Sequence, residues 1–534
     1  MNVEDHPDAT IISSSWVITE KLDLYKFRLV AGGHQQDRLL YNSNEISSPT
    51  ASWHSTLLII SNSVGKDFHH YDVETAYLNA KIDEDYNPNE KEIDNIDSDL
   101  PSDNPKRNII MKLNKISSKT YCYLLDPSGE IYIKYKDRHD CITVKLDKAL
   151  YGLLQSGVLW YTNLKNNLIN IGFRRSENDQ CIFYMHNSIL IVYVDDLLLI
   201  TNSYIDKNKI EDKLESIYGK LKKSPPPVNG VKTITYVGMT IINDSKTNTI
   251  FIHQKDYIKE VLKENNEDGI AQTPCQRNLL DSIISESDND NDNQDIEQYV
   301  SLLAKLNWIA THSRPDIKYG VSVLSTVANK PNKEHYNQLR RILRYLNATI
   351  NLGLTFYNNK VVLETFTDAS FMQHSNRSSH TGIIIRSSKG SAAIYSESTK
   401  QKIIAQSTFE SEIIALNKGK NMSIFLRRLS DDIGAPQSRT NVYEDNAAVI
   451  DAIRLGRPNS KSRHIQMRYY STKESIEDGS INVVAIATEE QPADMLTKPI
   501  STDSFIKHRE VLLGTPVAAT PHSNLYIKLY NDEG

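Results

Sequence analysis

Two adjacent carboxylates, Asp195 and Asp196, stand in the middle of Ile189 to Thr201, ILIVYVDDLLLIT. Apolar, strand-favouring runs flank them, so the pattern predicts a strand, a tight turn carrying the acids and a return strand. Paired carboxylates resist burial unless a positive charge compensates them. A divalent cation is the natural compensation, since Mg2+ takes oxygen ligands from one or two carboxylates and from substrate phosphates. A solvated acidic turn would suit the same residues without a metal. A third acid, Asp72 in FHHYDVETAYLNA, follows a short aromatic strand and precedes an expected helix start. It can cap that helix, or complete a metal site if the fold brings it to Asp195 and Asp196.

A second set of acids lies further along. Asp368 closes the strand VVLETFTDAS, and Glu410 and Glu412 lie near the start of a helix expected over 408–433. Asp445 ends the strand TNVYED, and Asp494 sits at the start of the last helix. Acids at strand ends and helix starts can converge on one sheet edge. Four convergent carboxylates would hold two cations about 3.5–4 Å apart, which stabilise the attacking and leaving oxygens of a phosphodiester displacement. Each acid can equally be a separate cap. Ser407-Thr408-Phe409-Glu410 fits the capping box S-x-x-E, which would occupy Glu410 with backbone N–H groups and leave Glu412 the better-placed ligand.

The elements that must position these residues follow from the hydrophobic pattern. Residues 16–40 read as two strands around a turn, with Lys26 and Arg28 sharing one face. Those two cations can meet a triphosphate, or be the solvated face of an edge strand. A helix is expected over 52–65, strands at NIIMKLNKI and TYCYLLDPSGEIYIKY, and a long amphipathic helix through Trp160, Leu164, Leu168 and Ile171, ended by Gly172. A charged helix over 206–222 meets Pro225-Pro226-Pro227, and TITYVGMTIIN and TIFIHQ read as two strands. DYIKEVLKEN and residues 297–347 are helical in pattern. From Gly353 onward, three strands and then alternating helices and strands imply an α/β domain around a mixed sheet.

Composition sets the bounds. A chain of 534 residues with 39% hydrophobic and 24% charged residues suggests several globular domains. No apolar run reaches membrane-spanning length, and the first residues, MNVEDHPDAT, lack the pattern of a signal peptide. Four scattered cysteines, without zinc spacing, fit a reducing compartment. The net charge of −6 is unevenly spread: residues 83–103 carry −8 and residues 281–297 carry −7, leaving about +9 for the rest. Both acidic segments read as disordered loops or linkers, and the remainder is compatible with a phosphate-backbone partner.

Taken in order, these residues resemble the reverse transcriptase and ribonuclease H portion of Pol polyproteins from Ty1/copia-type LTR retrotransposons. YKFRLVAGGHQQ, SSPTA, HHYDVETAYLNA, LDKALYGLLQS, YVDDLLLI, YVGMTI, HSRPDIKYGVS and RRILRYLNAT carry the polymerase side of the likeness. FTDASF, STFESEIIAL, YEDNAAVI, SRHIQMRYY and EEQPADMLTKPI carry the nuclease side. The resemblance implies an α+β polymerase right hand (fingers, palm, thumb), a helical connection and an α/β ribonuclease H-like domain. Its implied boundaries are 1–250 for fingers and palm, 251–350 for thumb and connection with the linker 281–297, 351–515 for the nuclease, and 516–534 for a tail.

The resemblance further implies that Asp72, Asp195 and Asp196 are the polymerase metal triad, on an antiparallel palm sheet. Asp368, Glu412, Asp445 and Asp494 would be the nuclease acids, with Glu410 kept beside them. Each site would use two Mg2+ ions, with Mn2+ as an alternative. Lys26 or Arg28 would contact the triphosphate. Tyr151 and Gly152 would line the incoming nucleotide, and Gly238 would belong to a hairpin gripping the primer end. Tyr77 matches an aromatic that stacks under the sugar, though a core aromatic at a helix start would read the same way. Implied partners are an RNA template, a DNA primer, an RNA–DNA hybrid and deoxynucleoside triphosphates, with no membrane and no indicated oligomeric state. The implied location is the cytoplasm, in a virus-like particle, or the nucleus.

The chain departs from the family pattern at Gly32 and Leu154, where a lysine is usual, at Ser156-Gly157, and at Gln466, where Asp is usual. These departures leave open a catalytically inactive remnant that only binds nucleic acid, or a chain whose nuclease alone works. The sequence holds neither an aspartic-protease D-[ST]-G nor an integrase-type zinc pattern, which suggests a C-terminal Pol fragment. It leaves the role of His464 open.

Overall fold

The structure, a computed structural model, describes residues 9–21, 24–82, 108–280, 296–455 and 466–514. The acidic segment 83–103, most of 281–297, the tail 516–534 and His464 lie outside the described residues. The chain divides into two compact units. One comprises residues 1–51, 71–175 and 180–223, and the other residues 52–70, 176–179 and 224–534.

The first unit contains two sheets. One has the order β2-β1-β4-β5, built from β1 (Thr10–Lys21), β2 (Leu24–Ala31), β4 (Ile109–Lys112) and β5 (Thr143–Lys145). The other has the order β10-β3-β9-β8-β7-β6, from β3 (Phe68–Asp72), β6 (Arg174–Arg175), β7 (Ile182–Met185), β8 (Ser188–Tyr193), β9 (Asp196–Ile200) and β10 (Lys222–Lys223). Its hairpin neighbours pair antiparallel, and Leu190, Ile191, Leu197, Leu198, Leu199 and Ile200 are all buried. Such continuous apolar runs mark strands covered on both faces. The expected long helix is α5 (Ser156–Ile171), and Gly172 ends it at φ 116°. Helix α6 (Tyr204–Tyr218) starts at Ser203, whose side chain accepts from the Asp206 N–H. A core of Ile12, Ala31, Ala80, Ile109, Met111, Cys122, Tyr132 and Leu159 fills the space under the first sheet.

Three local expectations are corrected. TYCYLLDPSGEIYIKY is not a strand but two helices, α3 (Lys115–Leu125) and α4 (Glu130–Tyr135). The Asn114 side chain caps α3 by accepting from the Ser117 N–H at 2.9 Å. The Asp126 carboxylate accepts from Ser128 and from the Ile131 N–H and so starts α4. Local capping therefore outweighs the β-propensity of the aromatic residues. TITYVGMTIIN is not one strand but β11 (Val231–Tyr236) and β12 (Met239–Asp244), folded at Val237 (φ 48°) and Gly238 (φ 76°). Finally, no α-helix follows Asp72; the chain makes only a 3-10 turn, Ala76–Asn79, after Thr75 at φ 55°.

In the second unit, β11, β12, β13 (Thr249–His253) and β14 (Leu354–Tyr357) form an antiparallel sheet in that order. Helices α7 (Lys255–Glu264), α8 (Ile296–His312), α9 (Lys318–Ser325) and α10 (Lys333–Ala348) follow. Between α8 and α9, Arg314 and Asp316 are fully buried and doubly bonded, Nε to Oδ1 at 3.0 Å and Nη2 to Oδ2 at 2.8 Å. The Tyr345 hydroxyl donates to Asp316 and accepts from Arg509, which closes a buried ionic cluster.

The expected mixed sheet has the order β17-β16-β15-β18-β19. Strands β15 (Glu364–Ser370), β16 (His380–Arg386) and β17 (Ala393–Lys400) pair antiparallel, whereas β18 (Thr440–Glu444) and β19 (Ile481–Ala485) run parallel to β15. Helix α11 (Thr408–Asp432) lies on this sheet. A Cβ on its Gly419 would stand 2.5 Å from the Thr367 Cγ2, so only glycine allows the helix this close. Helices α12 (Ala447–Leu455), α13 (Gln466–Glu477) and α14 (Thr502–Leu513) complete the domain. Ile413, Leu416, Val442, Val449, Tyr469 and Ile481 form its core, each large side chain contributing about 1.5–3 kcal/mol of apolar burial. Among the described residues no helix is long and apolar enough to cross a membrane.

Candidate active sites

In the first unit, Tyr193 pairs with Asp196, so Val194 and Asp195 are the two residues of the hairpin turn. Val194 has φ 57°. Such a conformation suits glycine and costs a β-branched residue about 1–3 kcal/mol. The turn is held from both sides. The Trp160 indole Nε1–H of α5 donates to the Val194 carbonyl at 2.8 Å, and the Val73 N–H donates to the Asp195 carbonyl at 3.2 Å. This second bond ties the end of β3, where Asp72 sits, to the turn. Asp72, Asp195 and Asp196 are thus brought to neighbouring strands of one sheet. Burial, and then the Asp196 and Asp72 carboxylates, hold the Asp195 carboxyl above the usual carboxylate range, while Lys26 pulls the other way.

The aromatic and cationic candidates lie beside these acids. The Tyr77 and Tyr151 rings stand 4.7 Å apart, tilted by 58°. The Arg28 guanidinium lies over the Tyr151 ring at 5.8 Å, a cation–π distance. Burial first, and then Asp195, raise the phenol pKa of both tyrosines. On β2, Lys26 and Arg28 face the same way, opposite Thr19 and Val17 of β1. Gly152 (φ 97°) brings its loop so near β2 that a Cβ would lie 2.1 Å from the Ala31 carbonyl oxygen. A Cβ on Gly33 would likewise meet the Gly152 oxygen at 1.8 Å. Sequence reasoning missed Gln36, which is buried. It donates to Gln155 at 3.0 Å and accepts from the Leu154 N–H at 2.9 Å, clamping GGHQQ to YGLLQS. Gly238 lies in the second unit, at the β11–β12 turn.

The second unit gathers the other acids. Oxygens of Asp368, Asp445 and Asp494 lie within 4.8 Å of one another, as do oxygens of Glu412, Glu444 and Asp445. These are the tight acid sets among the described residues, and they share Asp445. Asp494 sits on a 3-10 turn, Pro492–Leu496, rather than at a helix start. A Cβ on Gly382 of β16 would stand 2.6 Å from the Ala493 oxygen, so glycine is what lets this turn reach the sheet. The Ser398 hydroxyl donates to the Leu496 carbonyl at 2.7 Å. His380 Nε2 bonds Ser398, and His380 Nδ1 meets His374 Nε2 at 3.0 Å. Lys498 pairs with Asp494 at 2.9 Å, and the Thr497 hydroxyl donates to Asp368.

Glu410 stands apart from both sets. Its carboxylate accepts from the Gln406 N–H at 2.7 Å while Ser407 accepts from the Glu410 N–H, so the capping role expected of it is the one its geometry serves. Glu412 accepts from the Ala369 N–H, and its Oε2 is buried without a hydrogen-bond partner. Glu444 was not anticipated, although the alternation of β18 puts it on the buried face with Val442. Burial, and then neighbouring carboxylates, raise Asp368, Glu412 and Glu444 above the carboxylate range. Lys498 and Thr497 oppose this at Asp368. Buried, mutually repelling oxygens with one lacking a partner fit a divalent cation.

Comparison with known proteins identifies relatives of the chain. Residues 2–102 and 110–275 match the family described as reverse transcriptase (RNA-dependent DNA polymerase). The chain is 28% identical to the retrovirus-related Pol polyprotein from transposon TNT 1-94 of Nicotiana tabacum, over 92% of this chain and 34% of that protein. It is 27% identical to the Pol polyprotein from transposon RE1 of Arabidopsis thaliana, over 93% of this chain and 31% of that one. It therefore spans about a third of the length of these curated relatives. A foamy viral protease-reverse transcriptase in complex with dsDNA aligns over 89% of this chain and 78% of its own, with 13% identity and a TM-score of 0.47. The chain belongs to the reverse transcriptase family, and within it to the reverse transcriptase and ribonuclease H region of Ty1/copia-type retrotransposon Pol polyproteins.

Proposed function

We propose that the chain is an RNA-directed DNA polymerase that also degrades the RNA strand of an RNA–DNA hybrid. The observation that carries this reading is the grouping of Asp72, Asp195 and Asp196 beside a wall of Tyr77, Tyr151 and Arg28. The three acids would hold Mg2+ or Mn2+. Bound there, the cations supply an activated primer 3′-hydroxyl and neutralisation of the triphosphate. The protein's own residues do the positioning. Arg28, oriented by the Tyr151 ring, and Lys26 meet the phosphates. Tyr77 supports the sugar and excludes a 2′-hydroxyl. Gly152 lets its loop pack against β2, which holds Tyr151 where it would line the incoming nucleotide, and the Val237–Gly238 turn would grip the primer end. In the nuclease, Asp368, Glu412, Asp445 and Asp494 would hold the cations, and the hybrid is recognised by its 2′-hydroxyls and its shape.

The departures at Gly32 and Leu154 favour a second reading, in which the fold binds primer–template without copying it. The test is Mg2+-dependent extension of a DNA primer on an RNA template, run alongside cleavage of a labelled hybrid. Asp195→Asn should abolish extension and spare cleavage, and Asp445→Asn should do the reverse. Extension surviving Asp195→Asn would overturn the polymerase assignment. A folded parent chain that binds primer–template yet neither extends nor cleaves would establish the binding-only reading.

A further inference from the structure

Four nuclease acids were expected, and a fifth, Glu444, is the most deeply buried of those described. It is 0% exposed, against 3% for Asp368, 4% for Glu412 and 8% for Asp494. Its strand neighbour on the same face is Val442, and Ile413, Leu416 and Val449 belong to the same core. An uncompensated carboxylate there is costly. Glu444 has two hydrogen bonds, from the Asn446 N–H at 3.1 Å and the Thr367 hydroxyl at 3.2 Å, and neither donor is charged. The Lys498 amine pairs with Asp494, in the other acid set. Next to Glu444, the buried Glu412 Oε2 has no hydrogen-bond partner.

We propose that Glu444 is a metal ligand, and that Glu412, Glu444 and Asp445 hold a divalent cation in a position of their own. The neighbouring position is Asp368, Asp445 and Asp494, and Asp445 serves both. The inference rests on reading this domain as a metal-dependent nuclease. The spacing favours it. Oxygens on opposite sides of one Mg2+ stand about 4.2 Å apart. Adjacent ligands of an octahedral ion stand about 3 Å apart, so three oxygens already within 4.8 Å of one another come into range by side-chain rotations that close them by at most about 2 Å. The cation would neutralise the buried Glu444 and occupy the idle Glu412 oxygen together. The competing occupant is a proton shared between Glu412 and Glu444, which would leave no second cation position.

The test is direct Mn2+ binding to the full chain without nucleic acid, by calorimetry and electron paramagnetic resonance. An Asp195→Asn background silences the polymerase acids. The expected result is two Mn2+ ions on this background. Adding Glu444→Gln should remove one ion or weaken it at least tenfold. Glu444→Leu, which removes the buried charge and its repulsion with Glu412 and Asp445, should lose the same ion while unfolding at no lower temperature. Asp494→Asn should weaken the other ion instead. Unchanged Mn2+ number and affinity in folded Glu444→Gln and Glu444→Leu would overturn the proposal. So would a parent that binds no Mn2+. In that case hybrid cleavage separates the two readings: a parent that still cleaves keeps the nuclease and loses only the Glu444 assignment, and one that does neither loses both.

Discussion

Replacing Trp160 by Phe tests whether the left-handed Val194 is imposed by its surroundings. The indole N–H is the donor to the Val194 carbonyl, and Trp160 is only 1% exposed. Losing that donor costs about 1–3 kcal/mol, and the smaller ring adds about 1 kcal/mol for incomplete filling. If the turn keeps its geometry, stability falls by about 2–4 kcal/mol and primer extension is largely retained. If the turn relaxes instead, Val194 recovers its strain of about 1–3 kcal/mol. The stability loss then shrinks, Asp195 leaves its place and extension falls at least tenfold. Urea unfolding with parallel extension assays distinguishes these branches. Unchanged stability together with unchanged extension would refute the claim that Trp160 holds the turn. Hybrid cleavage serves as the control, because its acids lie in the other unit.

Tyr77→Ala should raise ribonucleotide incorporation at least tenfold relative to deoxyribonucleotides, read by primer extension with each nucleotide set; an unchanged ratio removes Tyr77 from sugar discrimination. Thr497→Val deletes the hydroxyl donor to Asp368. Its carboxyl then holds its proton more tightly, and the acid limb of hybrid cleavage should move to higher pH. Arg314→Met leaves Asp316 buried and unpaired, and thermal unfolding should show a loss of about 3–5 kcal/mol. The double variant with Asp316→Leu should be less damaged than that single change. Burial holds His374 at about 4 and His380 at about 3, below an ordinary histidine. Because both pKa values are lowered, the unfolded chain binds more protons as pH falls below about 6.5. Stability should therefore decline from there towards pH 4, and His380→Gln should flatten the decline.

The hairpin carrying Asp195 and Asp196 was legible because apolar, strand-favouring runs flank a two-residue turn. Helix α5 was equally plain, since Trp160, Leu164, Leu168 and Ile171 keep helical spacing up to Gly172. Misreading α3 and α4 had a physical cause. TYCYLL and EIYIKY are β-favouring strings, and the information that makes them helical sits outside them, at Asn114 and Asp126. Glu444 was hidden by Asp445, the obvious ligand beside it. Only the inward register of Val442 could have exposed it. Gln36 gave no signal, because its partners Leu154 and Gln155 lie more than a hundred residues away.

The cluster of Arg314, Asp316, Tyr345 and Arg509 has a genetic consequence. Its charges are tolerable only in each other's company, so removing one strands the rest in the protein interior. An apolar replacement would require several codons to change at once. A single mutation that costs about 3–5 kcal/mol takes a large share of a typical domain's stability, and its product is more exposed to unfolding and degradation. The four positions are thus entrenched by physics rather than by catalysis. Among drifting copies of such an element, a change at one of them should lower the abundance of the product several-fold.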